Sequence, residues 1–128
     1  LEILHGSFKG VKKPYPKEFG NLINLKSLNV THDTEPNIPS SFSKLEQLVT
    51  LSFRNSQFEK IPSVFNDLIK INHLDVWDNY IDEIEPELLA RLNQYCVRNL
   101  DLEGNVVANS ASKIKKYKSL LPYAYVSS

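Results

Sequence analysis

Ser52, His73 and Asp75 are the residue types of a hydrolytic triad, and His73 with Asp75 makes half of a metal site. A triad needs its nucleophile, base and orienter converging in a pocket with an oxyanion site. A closed metal site needs about four converging ligands. Trp77, the only tryptophan, and Arg54 suggest a different chemistry. Protein-binding hot spots are enriched in Trp and Arg. The choice among these readings depends on the elements that hold the residues.

One segment recurs down the chain: an apolar residue, two variable residues, Leu, one variable residue, and a further apolar position. It begins at Leu1, Leu25, Leu48, Ile71 and Val97, with steps of 24 (25−1), 23 (48−25), 23 (71−48) and 26 (97−71). A fixed period of this length marks a solenoid, in which each unit buries its apolar face only against its neighbours. Within a unit, apolar positions 4 and 6 alternate with polar 3, 5 and 7, which predicts a short strand with one buried face. Lys9, Asp33, Ser56, Asn79 and Asn105 end the strands at position 9. Proline then opens a second apolar set, as in Pro39, Phe42 and Leu45 or Pro62, Phe65 and Leu68. That spacing predicts a helical turn on the far side. The fourth unit is longer and predicts an α-helix over 85–94 with Pro86 in its first turn. After the fifth unit the pattern stops. Residues 112–121 predict a helix capped by Ser110 or Ser112, and 123–127 a strand beside the fifth unit, together a cap over the last core.

Strands one period apart run parallel and stack at roughly 4.8 Å. The helical turns are thicker, so the sheet lies on the concave side. Its columns follow from the register. Position 3 carries Ser27, Thr50, His73 and Asn99; position 5 carries Asn29, Ser52, Asp75 and Asp101. Position 7 carries Thr31, Arg54, Trp77 and Glu103, and position 8 carries His32, Asn55, Asp78 and Gly104. An open sheet offers no pocket for a Ser52, His73 and Asp75 triad. His5 and His73 lie three strands apart, roughly 14 Å, so no three-histidine site forms. Trp77 beside Arg54, with Asp75, Asp78, Asp101 and Glu103 in the later rows, reads as a partner-binding face.

Composition sets bounds on function. The chain has 128 residues, 41% of them hydrophobic, with Lys plus Arg and Asp plus Glu at 15 each. That balance provides no global field for nucleic acid or an anionic membrane. No apolar run reaches membrane-spanning length. Lysines gather at both ends, at 9, 12, 13 and 17 and at 113, 115, 116 and 118, so the neutral total hides a polarised surface. Cys96 is alone, excludes an internal disulfide, and reads as a small buried residue. There is no Met and no signal peptide, so a processed or trimmed chain is expected.

The segments LKSLNVTHD, LVTLSFRNS, INHLDVWDN and VRNLDLEGN resemble the leucine-rich repeat signature. IPSSFSKLEQL and IPSVFNDLIKI are similar to the convex half of 23-residue bacterial and plant-like repeats, and the tail to the C-terminal cap of bacterial repeat proteins, including those of pathogenic spirochaetes. The chain departs from the pattern at Gly6 and Glu35, and Ser56 takes an asparagine position. The resemblance implies an α/β leucine-rich repeat solenoid, a horseshoe forming a single domain over 1–128 with its cap at about 106–128. It implies a non-enzymatic protein-interaction module, bacterial and engaged in host contact or adhesion, with a secreted or cell-surface setting favoured over the cytoplasm. The concave residues assigned to the partner are Trp77, Arg54, His73, Asp75, Asp101, Glu103, His32, Asn55 and Asp78. No cofactor, resident metal or nucleic acid is expected, and a monomer is. The alternative is a structural or receptor fragment whose main binding face lies in further N-terminal repeats.

Overall fold

The computed structural model describes residues 2–7, 15–32 and 38–128. Leu1, Lys9, Lys12, Lys13, Asp33 and Glu35 lie outside the described residues. Six strands form one parallel sheet in chain order: β1 (Ile3–Ser7), β2 (Ser27–Thr31), β3 (Thr50–Arg54), β4 (His73–Asp75), β5 (Asn99–Asp101) and β6 (Tyr125–Ser127). The register follows the repeat, with Leu28, Leu51, Leu74 and Leu100 in line across neighbouring strands. Each of these leucines is at most 1% exposed. Burying each one stabilises the stack by roughly 1.5–3 kcal/mol before entropy is counted. Neighbouring rows are also stapled by a carbonyl that accepts twice. Lys26 accepts from the N–H groups of Val49 and Thr50, Val49 from Asn72 and His73, and Asn72 from Arg98 and Asn99.

The proline-led segments fold as predicted into single 3-10 turns, Lys17–Asn21, Ser40–Lys44 and Ser63–Asp67. In each, the phenylalanine N–H closes onto the proline carbonyl, as Phe42 does to Pro39 at 3.1 Å. Their rings form an aromatic column behind the sheet. Phe19 stacks on Phe42 at 4.9 Å, and Phe65 lies 5.8 Å from Phe53. The longer fourth unit makes α1 (Pro86–Gln94), with proline in its first turn and Leu88, Leu89 and Leu92 buried.

Cys96 corrects the sequence reading, because it is exposed. It sits just past α1 with φ of +57°. Its N–H bonds the carbonyl of Asn93, and the N–H of Val97 bonds Leu92. This pairing is a Schellman motif, and it puts the left-handed residue outside the core while buried Leu92 and Val97 flank it.

The strand ends share a second device. His32, Asn55, Asp78 and Gly104, all at repeat position 8, have positive φ. These are the residue types that tolerate the left-handed region. Gly104 is doubly constrained, since a Cβ there would sit 2.9 Å from the Cα of Asp78 in the row below. The turn sends position 9 inward. Asn79, 3% exposed, donates to the carbonyls of Phe53 and Val76 at 2.8 Å and accepts from the N–H groups of Ser56 and Phe58. Asn105 donates to Val76 and Leu102 and accepts from Ile81.

The tail is the expected cap. Ser110 caps α2 (Ala111–Leu120), and β6 pairs parallel to β5, starting at Tyr125 rather than Tyr123. Ile114, Tyr117, Leu121 and Val126 close the core. The Tyr117 hydroxyl accepts the Ile84 N–H at 2.9 Å. Burial raises its pKa, with the acids at Glu83, Asp82 and Glu85 adding to the shift and the Ile84 hydrogen bond opposing it. Among the described residues no helix is long and apolar enough to cross a membrane.

Two outcomes follow from these contacts. Asn79→Ala strands two buried N–H groups and two carbonyls and should cost about 3 kcal/mol or more in urea unfolding. The exposed Asn93→Ala should stay within about 0.5 kcal/mol. Tyr117 binds its proton more tightly folded than unfolded. Its contribution is therefore full below the unfolded value of about 10 and is lost as pH rises through the higher folded value. Wild-type melting temperature should fall more steeply above about pH 10 than that of Tyr117→Phe. Parallel pH profiles would rule out the Tyr117 hydroxyl as a latch between the cap helix and Ile84.

Candidate functional site

Because Leu at position 4 and its apolar partner at position 6 turn inward, positions 3, 5 and 7 must face the other way. The register sets Thr50, His73 and Asn99 side by side, and Ser52, Asp75 and Asp101 beside them. Arg54 ends β3, and Trp77 follows the end of β4. Backbone bonds between rows fix the next column: the Asn55 N–H meets the Trp77 carbonyl at 2.9 Å and the Asp78 N–H the Glu103 carbonyl at 2.9 Å. His32, Arg54, Asn55, Trp77, Asp78 and Glu103 are exposed, whereas His73 and Asp101 are half-buried.

Asp75 is different, being only 2% exposed. One carboxylate oxygen accepts from Arg54 Nε at 2.6 Å, and the other from the Trp77 N–H at 3.0 Å. Arg54 remains half exposed and its guanidinium lies 5.9 Å from the Trp77 ring centroid. Three of the sequence-derived residues therefore form one unit. Asp75 fixes the arginine and the backbone under the tryptophan, and it is not itself open to a partner. Asp101 repeats half of this device by accepting the Glu103 N–H at 3.0 Å.

The same contacts bear on the other chemistries. The Asp75 carboxylate is committed to Arg54 and Trp77, so it does not orient His73, and Ser52 is 5% exposed. Among the described residues no group of three or more His, Cys, Asp or Glu side chains converges as a metal site. Sequence reasoning also missed a residue. Tyr125 stands opposite Asn99 and extends the position 3 column into a sixth row, 72% exposed. Continuing the register into the predicted cap strand would have found it.

No protein-family profile matches the chain. Among solved structures, it is similar to a leucine-rich repeat protein of Leptospira interrogans, with a TM-score of 0.78 and 21% identity, covering 100% of this chain and 30% of that one. It is also similar to an internalin of Listeria monocytogenes, with a TM-score of 0.59 and 22% identity, covering 90% of this chain and 34% of that one. The fold is therefore the leucine-rich repeat solenoid, and it resembles that of a spirochaete repeat protein. Among curated proteins, an adenylate cyclase of Schizosaccharomyces pombe is 29% identical over 91 residues, 71% of this chain. The chain spans 5% of that protein's length, a share that transfers no activity.

A double-mutant cycle tests the Arg54 and Asp75 unit. Arg54→Ala leaves a buried carboxylate unpaired and should cost about 2 kcal/mol, a figure reduced because Arg54 is half in solvent. Adding Asp75→Asn should recover part of that loss. Strict additivity of the two changes would show that the pair is not coupled.

Proposed function

We propose that this chain is a non-enzymatic module that binds a protein partner through the concave face of its later rows. The observation that carries the reading is the Arg54, Asp75 and Trp77 unit. An exposed tryptophan, 38% accessible, is set against an arginine whose direction is fixed from below. Solubility disfavours exposing such a ring, and preorganised Trp and Arg side chains lose little entropy when a partner covers them. Exposed Asp78 and Glu103, with half-buried Asp101, give the surrounding surface an acidic bias. The partner surface is accordingly basic or mixed in charge. His32, Asn55 and His73 supply polar contacts around this centre.

The likeness to bacterial repeat proteins supports an interaction role. Host contact or adhesion is the finer form of the proposal, and it rests on the resemblance of the repeats and cap to those of spirochaete proteins. The face is small. It provides roughly the 800 Å² per partner of a standard interface only if nearly all of it is used, so affinity should depend on few anchors.

With the partner recovered by pull-down, Trp77→Ala should weaken binding by about 2 kcal/mol or more in surface plasmon resonance. Asp101→Lys should act mainly on the association rate and its salt dependence. Lys60, 77% exposed on the convex side, provides the control. If Lys60→Ala weakens binding more than Trp77→Ala and Arg54→Ala do, the partner uses the outer surface.

A further inference from the structure

The position 5 column contains one complete carboxylate–arginine arrangement and half of a second. In the fourth row, one Asp75 oxygen accepts the Trp77 N–H at 3.0 Å. Its other oxygen takes the guanidinium of Arg54, from position 7 of the row before, through both Nε and Nη2. Asp101 is the same residue one row on, directly opposite Asp75 in the register. One of its oxygens accepts the Glu103 N–H at 3.0 Å, as Asp75 accepts that of Trp77. The second Asp101 oxygen has no hydrogen-bond or ion-pair partner among the described residues. The position that would answer it, position 7 of the row before, is Trp77, which carries no charge. Asp75, covered by Arg54, is 2% exposed, whereas Asp101 stays half-buried.

Two features select what would complete the second arrangement. A carboxylate oxygen without a partner favours a charged N–H donor. Beside it stands the Trp77 ring, 38% exposed, with the Arg54 guanidinium 5.9 Å from its centroid and no other cation over it among the described residues. A guanidinium can donate from its edge while its plane lies on an indole, whereas an ammonium is a strongly hydrated point charge with no plane. Exposed Glu103, next to Trp77 in the position 7 column, adds a second negative charge.

We propose that Asp101 and Trp77 form the receptor for one arginine side chain of the protein partner, held in the fifth row as Asp75 holds Arg54 in the fourth. The proposal rests on the concave face being the docking surface, and it names the group that anchors there. The guanidinium edge donates to the second Asp101 oxygen, and its plane lies on the Trp77 ring. Glu103 attracts it from a distance. Charge reversal at Asp101 acts mostly by repelling the approaching partner, so the neutral Asp101→Asn is the change that isolates the contact. Its amide oxygen still accepts the Glu103 N–H.

The test is a proton–nitrogen NMR titration of the intact chain with N-acetyl-arginine N-methylamide at constant ionic strength, with the lysine and citrulline amides as parallel probes. Trp77 is the only tryptophan, so one indole N–H signal reports on the site. The arginine amide should shift that signal and the Glu103 amide together and saturably. Asp101→Asn should weaken it about threefold or more, in line with a partly exposed ion pair. Glu87→Gln, exposed on α1, should leave it unchanged. A second arm needs no ligand. Trp77→Arg supplies the arginine from within, so Asp101→Asn should lower the melting temperature in that background and leave it nearly unchanged in the wild type. Shifts that miss the indole, citrulline or lysine amide binding as tightly as arginine amide, or equal effects of Asp101→Asn in both backgrounds would each overturn the assignment. If the recovered partner is lost with Trp77→Ala but binds Asp101→Asn as it binds wild type, the arginine receptor fails while the concave face stands.

Discussion

The strand ends set the terms for everything else in this molecule. At position 9 the chain must carry a polar side chain back beneath its own sheet, where water cannot reach the backbone groups that the turn leaves unpaired. Asn79 and Asn105 answer this because an amide donates and accepts at once. Each joins carbonyls of its own row and the row before to backbone N–H groups in the loop of the row before, Ser56 and Phe58 for Asn79 and Ile81 for Asn105. Ser56 is too short to do the same. Its hydroxyl reaches the Arg54 carbonyl, and its own N–H leans on Asn79 from the next row. A left-handed residue just before position 9 makes the inward path possible. The leucine ladder runs through the apolar core, but these turns determine where each row begins and therefore which side chains can line up.

The concave face inherits its order from that alignment. Because rows are in strict register, a side chain in one row can be organised by a side chain in the next at fixed distance. Asp75 does this to Arg54 across one strand spacing and to Trp77 along its own chain. A face assembled from short strands has little depth, so its capacity to discriminate must come from such prior organisation and not from enclosure. A groove also opens where the repeat breaks down, in the angle between the last repeat helix and the cap helix.

The periodic part of the structure was legible in the sequence. Leucine spacing placed β2 to β5, proline followed by phenylalanine placed the 3-10 turns, and Pro86 with its apolar spacing placed α1. Ser110 and the strand after Pro122 identified the cap. What was not legible depends on neighbours outside a residue's own row. Asp75 occupies a face position by pattern, yet it is buried because Arg54 from the previous row closes over it. Cys96 looks like a core residue beside Val97, yet the helix terminus requires a left-handed residue there and turns it outward. The gap between α1 and α2 follows from how two non-equivalent helices meet, which no period encodes.

The double-accepting carbonyls that staple row to row have a mechanical consequence. Pulled from its two ends, such a stack loads its rows in sequence, as a zipper does, and not all together as in shear. Each row of 23 residues that lets go would add about 80 Å of contour at roughly 3.5 Å per residue. Under tension the rows would therefore give way one at a time. The cap, anchored by the Tyr117 latch, is the catch that the last row must slip before that end yields.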